Sequence, residues 1–200
     1  LIGAGEAALE SVKGYKIDKA LVVDNADLVA YKNASYAEAV AAAVKALDPK
    51  LVLFAATAMG KDLAPLAAAK ADCSLVSDVV EVSAGDDTIV VKKPIYAGKC
   101  FASMKAKSFP VMLSLRPNVF ADEKADAGDF PVEALDVATS AQDPVSVDYI
   151  EPESAELDVA EANIIVAGGR GLKEPANLDK IRNLAKALDA AVGASRAIVD

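Results

Sequence analysis

Two hydrophobic periods alternate along the first third of the chain. "KALVVD" (19–24) and "LVLFA" (51–55) are short, β-rich apolar runs. The second has no polar position, the pattern of a parallel strand covered on both faces. Between them, "SYAEAVAAAVKAL" (35–47) sets Tyr36, Val40, Val44 and Leu47 on one helical face, with Ser35 and Glu38 at capping-box spacing. "KDLAPLAAAKA" (61–71) predicts a second helix, with Asp62 at its N-cap and Pro65 in its first turn, where the missing N–H costs nothing. Strand, helix, strand, helix in that order predicts an α/β fold: a Rossmann-like parallel sheet with helices on its faces.

The period then shortens to two. Residues 75–82, 88–96, 99–105 and 110–115 read as strands, with hairpin turns at "AGDD" (84–87) and "YAGK" (96–99) added to the parallel sheet. The acidic stretch 118–131 reads as a surface loop, and 132–138 and 145–150 as further strands. "EPESAELDVAEA" (151–162) is rich in carboxylates and poor in large apolar side chains, so it cannot bury much. It holds the linker, placed at 156–162. After it come a strand in "NIIVAGG" (163–169), a helix over 176–188 with Leu178, Ile181, Leu184 and Leu188 on one side, and a strand in "AAVGA". The predicted domains are therefore 1–155, an N-terminal α/β domain, and 163–200, the beginning of a second α/β domain. One strand, helix and strand are too few to stand alone, so the second is expected to be incomplete. Leu1-Ile2 likewise reads as the last residues of a strand.

Composition narrows the function. The apolar fraction of 54% supplies a core, but no run reaches the roughly 20 residues that cross a bilayer. No leader pattern opens the sequence. A net charge of −9 argues against nucleic acid, whose phosphates demand a basic surface, and against anionic membranes. Cys73 and Cys100 have no metal or redox spacing and fit reduced thiols in a cytoplasmic or matrix-like compartment. With 0 histidines, Ser-His-Asp and Cys-His catalysis and histidine-based zinc sites are excluded from these residues.

Four stretches could carry chemistry. "GAGEAA" (3–8) matches a Gly-x-Gly-x-x-Ala phosphate loop, with Asp24 about 20 residues on; Gly3, Gly5 and Asp24 would make an NAD(P)-dependent oxidoreductase, and the bland alternative is a flexible turn. In "ATAMGK", Thr57, Gly60 and Lys61 follow a strand's carboxyl end, where open sheets bind ligands, or form an ordinary βα turn. Lys92, Lys93, Lys99, Lys105 and Lys107 form either an anion-binding surface or, the favoured reading, the solvated face and ends of a hairpin. Finally, "GGRGL" and "GASRA" put Arg170, and Ser195 with Arg196, at the carboxyl ends of two neighbouring strands. Two guanidiniums at one crevice suit an anionic ligand such as a nucleotide cofactor, since guanidinium binds phosphate bidentately. Pairing with the chain's many carboxylates is the alternative.

The closing stretch "VAGGRGLKEPANLDKIRNLAKALDAAVGASRAIVD" resembles the opening of the flavin-binding domain in electron transfer flavoprotein alpha subunits: a Gly-Gly-Arg-Gly-Leu turn, a helix, then Gly-Ala-Ser-Arg-Ala-x-Val-Asp. Upstream, "AATAMGKDLAPLAAAKADCSLVSDVVEV", "KKPIYAGK" and "LSLRPNVF" are similar to further segments of that family. The resemblance implies an electron carrier subunit rather than a substrate-specific catalyst. Its N-terminal domain would pack on a beta subunit and bind no flavin, and its second domain would carry FAD. It implies that Arg170, Ser195 and Arg196 bind the cofactor, with Arg196 near the isoalloxazine, where a fixed cation favours the reduced, anionic ring. Flavin dehydrogenases such as acyl-CoA dehydrogenases are the implied electron donors. The resemblance also implies that the FAD site is incomplete in these residues, and that "GAGEAA" is an ordinary loop after the second strand, which removes the ribose role of Asp24.

Overall fold

The computed structural model describes residues 1–3, 5–85, 88–121, 124, 128–140, 143–144, 157, 159 and 162–199. The chain divides into two compact units, Leu1–Ser146 and Val147–Asp200.

In the first unit the expected βα alternation is present. The elements are α1 (Gly5–Val12), β1 (Ala20–Val22), α2 (Asn33–Leu47), β2 (Leu51–Ala55) and α3 (Ala58–Lys70), then β3 (Ser74–Val79), β4 (Glu81–Gly85), β5 (Thr88–Ile95), β6 (Cys100–Lys105), β7 (Val111–Leu115) and β8 (Val132–Ala134). A parallel sheet runs β2-β7-β3, and a second parallel pair joins β1 to β8, with Ile2 bridged to Val23 beside it. β4, β5 and β6 form an antiparallel meander, so both hairpins stand where the turn residues place them. The Rossmann-like α/β class with added hairpins is the class observed.

The strand buried on both faces is β7, not β2. Met112 packs with Ala37, Leu63, Ala67 and Ala68 of α2 and α3, while Val111 and Leu113 meet Val79, Ile89 and Val91 on the other side. The meander covers β7 and β3 but leaves Leu53 of β2 53% exposed. An all-apolar strand at the edge of a sheet therefore has one covered face.

Both helix starts lie upstream of their expected positions. α2 opens at Asn33, and Ser35 is fully buried inside its first turn rather than capping it. α3 is capped by Thr57, whose side chain accepts from the Gly60 amide at 3.2 Å. Asp62 instead receives the Tyr31 hydroxyl at 2.7 Å and the Asn33 side-chain amide. Pro65 lies inside α3 beyond its first turn, on an exposed face where water can take the carbonyl that its ring leaves unbonded. The run 75–82 is two strands, because β3 breaks register between Val76 and Val79 and Asp78 adopts φ 59°. Arg116 holds Asp78 there in a bidentate pair, at 2.9 Å from Nε and 2.6 Å from Nη2. The predicted strand 145–150 and most of the predicted linker 156–162 lie outside the described residues.

The second unit holds β9 (Ile165–Gly168), α4 (Leu178–Ala187), β10 (Ala191–Ala194) and α5 (Arg196–Val199). Helix α4 follows a 3-10 turn at Pro175–Asn177, two residues later than its apolar spacing predicts. Its Ala185 is buried, while Leu184 is 51% and Leu188 47% exposed. Among the described residues no helix is long and apolar enough to cross a membrane.

Candidate functional site

β-Branched and small residues build the floor of the site. In "IVAG" and "AVGA" these side chains allow two short strands to lie close, and β9 and β10 pair in parallel with Ile165 opposite Ala191 and Gly168 opposite Ala194. The pairing aligns their carboxyl ends, and the Ser195 amide extends the ladder to the Gly168 carbonyl at 2.9 Å. Ligands of parallel sheets bind at this edge.

After β9 the chain turns through a 3-10 segment, Arg170–Leu172, closed by the Leu172 amide on the Gly169 carbonyl at 2.9 Å. Lys173 then takes φ 64°, and Asn177 steadies the turn by donating its side-chain amide to the Leu172 carbonyl at 2.7 Å. After β10, Arg196 opens α5. Arg170, Ser195 and Arg196 are all exposed and all follow the same sheet edge. A cavity of about 240 Å³ lies between the two turns, bordered by Arg170, Leu172, Lys173 and Glu174 on one side and by Ala197 and Ile198 on the other.

This arrangement fits an anionic, partly aromatic ligand. Gly169 carries no side chain toward Ser195, and the space a Cβ would fill there lies 3.4 Å from the Ser195 Oγ. That leaves a small cradle beside a hydroxyl that can donate or accept. Arg170 and Lys173 give the cavity rim positive charge beside the Glu174 carboxylate, and Leu172, Pro175, Leu178 and Ile198 give it apolar wall. The motif reading had not singled out Lys173; a cation just after a glycine-arginine-glycine turn was its available signal.

The other candidate stretches are structural in this fold. Gly3, at φ 87°, donates its amide to Val23 at 3.0 Å, and a Cβ there would come within 2.6 Å of the Leu28 carbonyl. The close approach that Gly3 permits is taken by the chain itself. Asp24 is exposed. Thr57 is occupied as the α3 cap. Lys92 pairs with Glu81 at 3.3 Å and sits 5.2 Å above the Phe101 ring, and Lys93 reaches Ser77, so both belong to the hairpin surface. A pair missed by motif reading, Asp78 with Arg116, stands at the carboxyl edge of the first unit's sheet. Hydrogen bonds from Arg116 hold the Asp78 carboxyl below its usual range against the opposing effect of burial, with Lys61 and Lys93 adding attraction. Among the described residues no cluster of three or more metal-ligating side chains forms.

Comparison with known proteins follows the same division. Residues 1–140 match the family model of the electron transfer flavoprotein domain, and residues 158–200 match that of the electron transfer flavoprotein FAD-binding domain. The electron transfer flavoprotein subunit alpha of Bacillus subtilis is 35% identical over 93% of this chain and 58% of that protein. The subunit alpha of Pseudomonas aeruginosa is 34% identical over 100% of this chain and 62% of its own length. The mitochondrial subunit alpha of Oryza sativa subsp. japonica is 31% identical over 99% of this chain and 57% of its own length. The chain thus spans about three fifths of the curated relatives it matches. The chain belongs to the electron transfer flavoprotein family, among its alpha subunits.

Proposed function

We propose that the protein is the FAD-bearing alpha subunit of a heterodimeric electron carrier. It accepts electrons from flavin dehydrogenases, such as the acyl-CoA dehydrogenases of fatty-acid β-oxidation, and passes them to a downstream oxidoreductase or respiratory chain. Residues 1–155 form the domain that packs on the beta subunit, 156–162 the linker, and 163 onward the cofactor domain. A bacterial cytoplasm or a mitochondrial matrix is the compartment that suits it; Cys73 and Cys100, which form no disulfide with one another, are compatible with such a reducing environment.

One observation carries this reading: Arg170 and the Ser195–Arg196 pair leave adjacent parallel strands at one edge, inside the segment that matches the FAD-binding domain. FAD supplies the redox chemistry when bound. Arg170 and Lys173 would hold an anionic part of the cofactor at the cavity rim. Ser195 offers its hydroxyl beside the Gly169 cradle. Arg196, at the start of α5 on the same edge, would set its permanent positive charge near the flavin, where it would stabilise added negative charge and raise the reduction potential. Leu172, Pro175, Leu178 and Ile198 would give the cofactor an apolar wall in the adjoining cavity.

The test is purification of the natural protein with its beta subunit. The complex is expected to be yellow, and its flavin absorbance to bleach on mixing with an acyl-CoA dehydrogenase and its substrate. A colourless complex, or a flavin that no dehydrogenase reduces, contradicts the proposal.

A further inference from the structure

Leu172, Lys173 and Glu174 make a turn of an uncommon kind. The Glu174 amide donates to the Leu172 carbonyl at 2.7 Å, and Lys173 between them takes φ 64° and ψ −46°. A bond between residues two apart, closed around a positive φ, is a γ-turn of the rarer, strained hand. Lysine has no special fitness for it, because its Cβ crowds a backbone that glycine or asparagine adopts more readily. A strained residue persists only where its surroundings over-determine it, and such residues cluster where ligands are clamped.

Two anchors hold the strain. On one side the Leu172 side chain lies over Gly168, at the end of β9: a Cβ on Gly168 would come within 2.5 Å of the Leu172 Cδ1 and 3.5 Å of the Ile181 Cγ1. On the other side Asn177 donates its side-chain amide to the Leu172 carbonyl at 2.7 Å, so that one carbonyl accepts from Asn177 and from Glu174 together. Asn177 stands at the start of α4 and is of a type that caps helices, yet its side chain makes no cap bond to that helix. It reaches back to the turn instead. The exposed residue held between the two anchors is Lys173, at the rim of the cavity of about 240 Å³ and on the same side of it as Arg170.

We propose that Asn177 is a positioning residue for the cofactor: it latches the γ-turn, and the latched turn keeps Lys173 at the rim, where it meets a phosphate of the dinucleotide. The latch fixes the backbone in advance, so binding does not have to order it, which is how preorganised sites gain affinity. Without the latch the turn relaxes to an unstrained conformation, Lys173 leaves the rim, and the cofactor departs sooner. The inference rests on the FAD reading above and adds to it a residue that acts without touching the cofactor.

The experiment measures FAD release from the natural heterodimer, followed as the rise of free-flavin fluorescence after dilution, in wild type, Asn177→Ala, Lys173→Ala and the double variant. Lys173→Ala should speed release about tenfold, the loss of one charge-assisted hydrogen bond. Asn177→Ala should speed it by about threefold to tenfold. The double variant should release FAD no faster than Lys173→Ala alone, because Asn177 acts through Lys173. Raising the salt concentration should narrow the gap between wild type and Asn177→Ala, since the contact at stake is ionic. Asn177→Leu keeps the volume, removes the donor and stands in if Asn177→Ala misfolds. Release unchanged by the Asn177 variants overturns the proposal. So do effects that multiply in the double variant, because a residue that merely holds the unit together acts independently of Lys173. Either result leaves the FAD reading standing, whereas a wild-type heterodimer that holds no FAD overturns both.

Discussion

Asp78 and Gly60 show how single residues set the carboxyl edge of the first sheet. A Cβ on Gly60 would lie 1.8 Å from the Ala55 carbonyl oxygen, so the α3 backbone crosses the end of β2 closer than any side chain allows. Gly60→Ala should cost about 1–3 kcal/mol by overpacking, read as a lower midpoint in urea unfolding. Asp78 carries a pH signature. Its folded pKa is depressed below its unfolded value, chiefly by the Arg116 hydrogen bonds. Its contribution is therefore fully present above the ordinary carboxylate pKa and is lost as pH falls through the depressed folded value. Wild-type stability should drop across that acid range, and Asp78→Asn should flatten the drop while lowering stability at pH 7. An unchanged pH slope in the variant would remove the pair from the stability account. The Asp78–Arg116 pair was not legible in the sequence, because its partners lie 38 residues apart along the chain. Ser35 and Glu38 satisfy a capping-box spacing, yet the partner that wins is Asp143, 108 residues away. Tyr31 is drawn to Asp62 in the same way, and burial together with that bond pushes its hydroxyl up to about 12.

At the scale of elements, the local patterns were the readable ones. Alternation and turn chemistry located β5 and β6, and helical spacing located α2, because both signals are complete within a dozen residues. Sheet order was not readable. "VMLSL" follows two hairpins in sequence, yet β7 lies between β2 and β3 in space. Its buried Ser114 is explained only by that position, where it accepts the Asp78 amide at 3.0 Å. The break in β3 is equally a tertiary event. Helix starts give a direct check: Thr57→Ala should cost about 1 kcal/mol through loss of the α3 cap. Asp62→Ala should leave helix α3 intact and should lower the Tyr31 pKa, followed by ultraviolet titration. A tyrosine pKa that does not move would show that Asp62 has no hold on Tyr31.

At the scale of the whole molecule, the sequence places two cationic turns in the last 35 residues, and the parallel pairing of β9 with β10 aligns the two strand ends from which they leave. The residue types were legible because a glycine-arginine turn and a serine-arginine turn each close a strand. Their shared edge needed the register, and Lys173 needed the backbone turn that carries it to the cavity rim. Fixed positive charge at that edge should tune the cofactor rather than merely hold it. The direct measurement is the flavin reduction potential of the natural heterodimer, compared among wild type, Arg196→Ala and Arg182→Ala, the last an exposed α4 arginine paired with Asp179. Arg196→Ala is expected to lower the potential by something on the order of tens of millivolts, and Arg182→Ala to leave it where it was. Equal potentials in all three proteins would contradict the role given to the Arg196 charge.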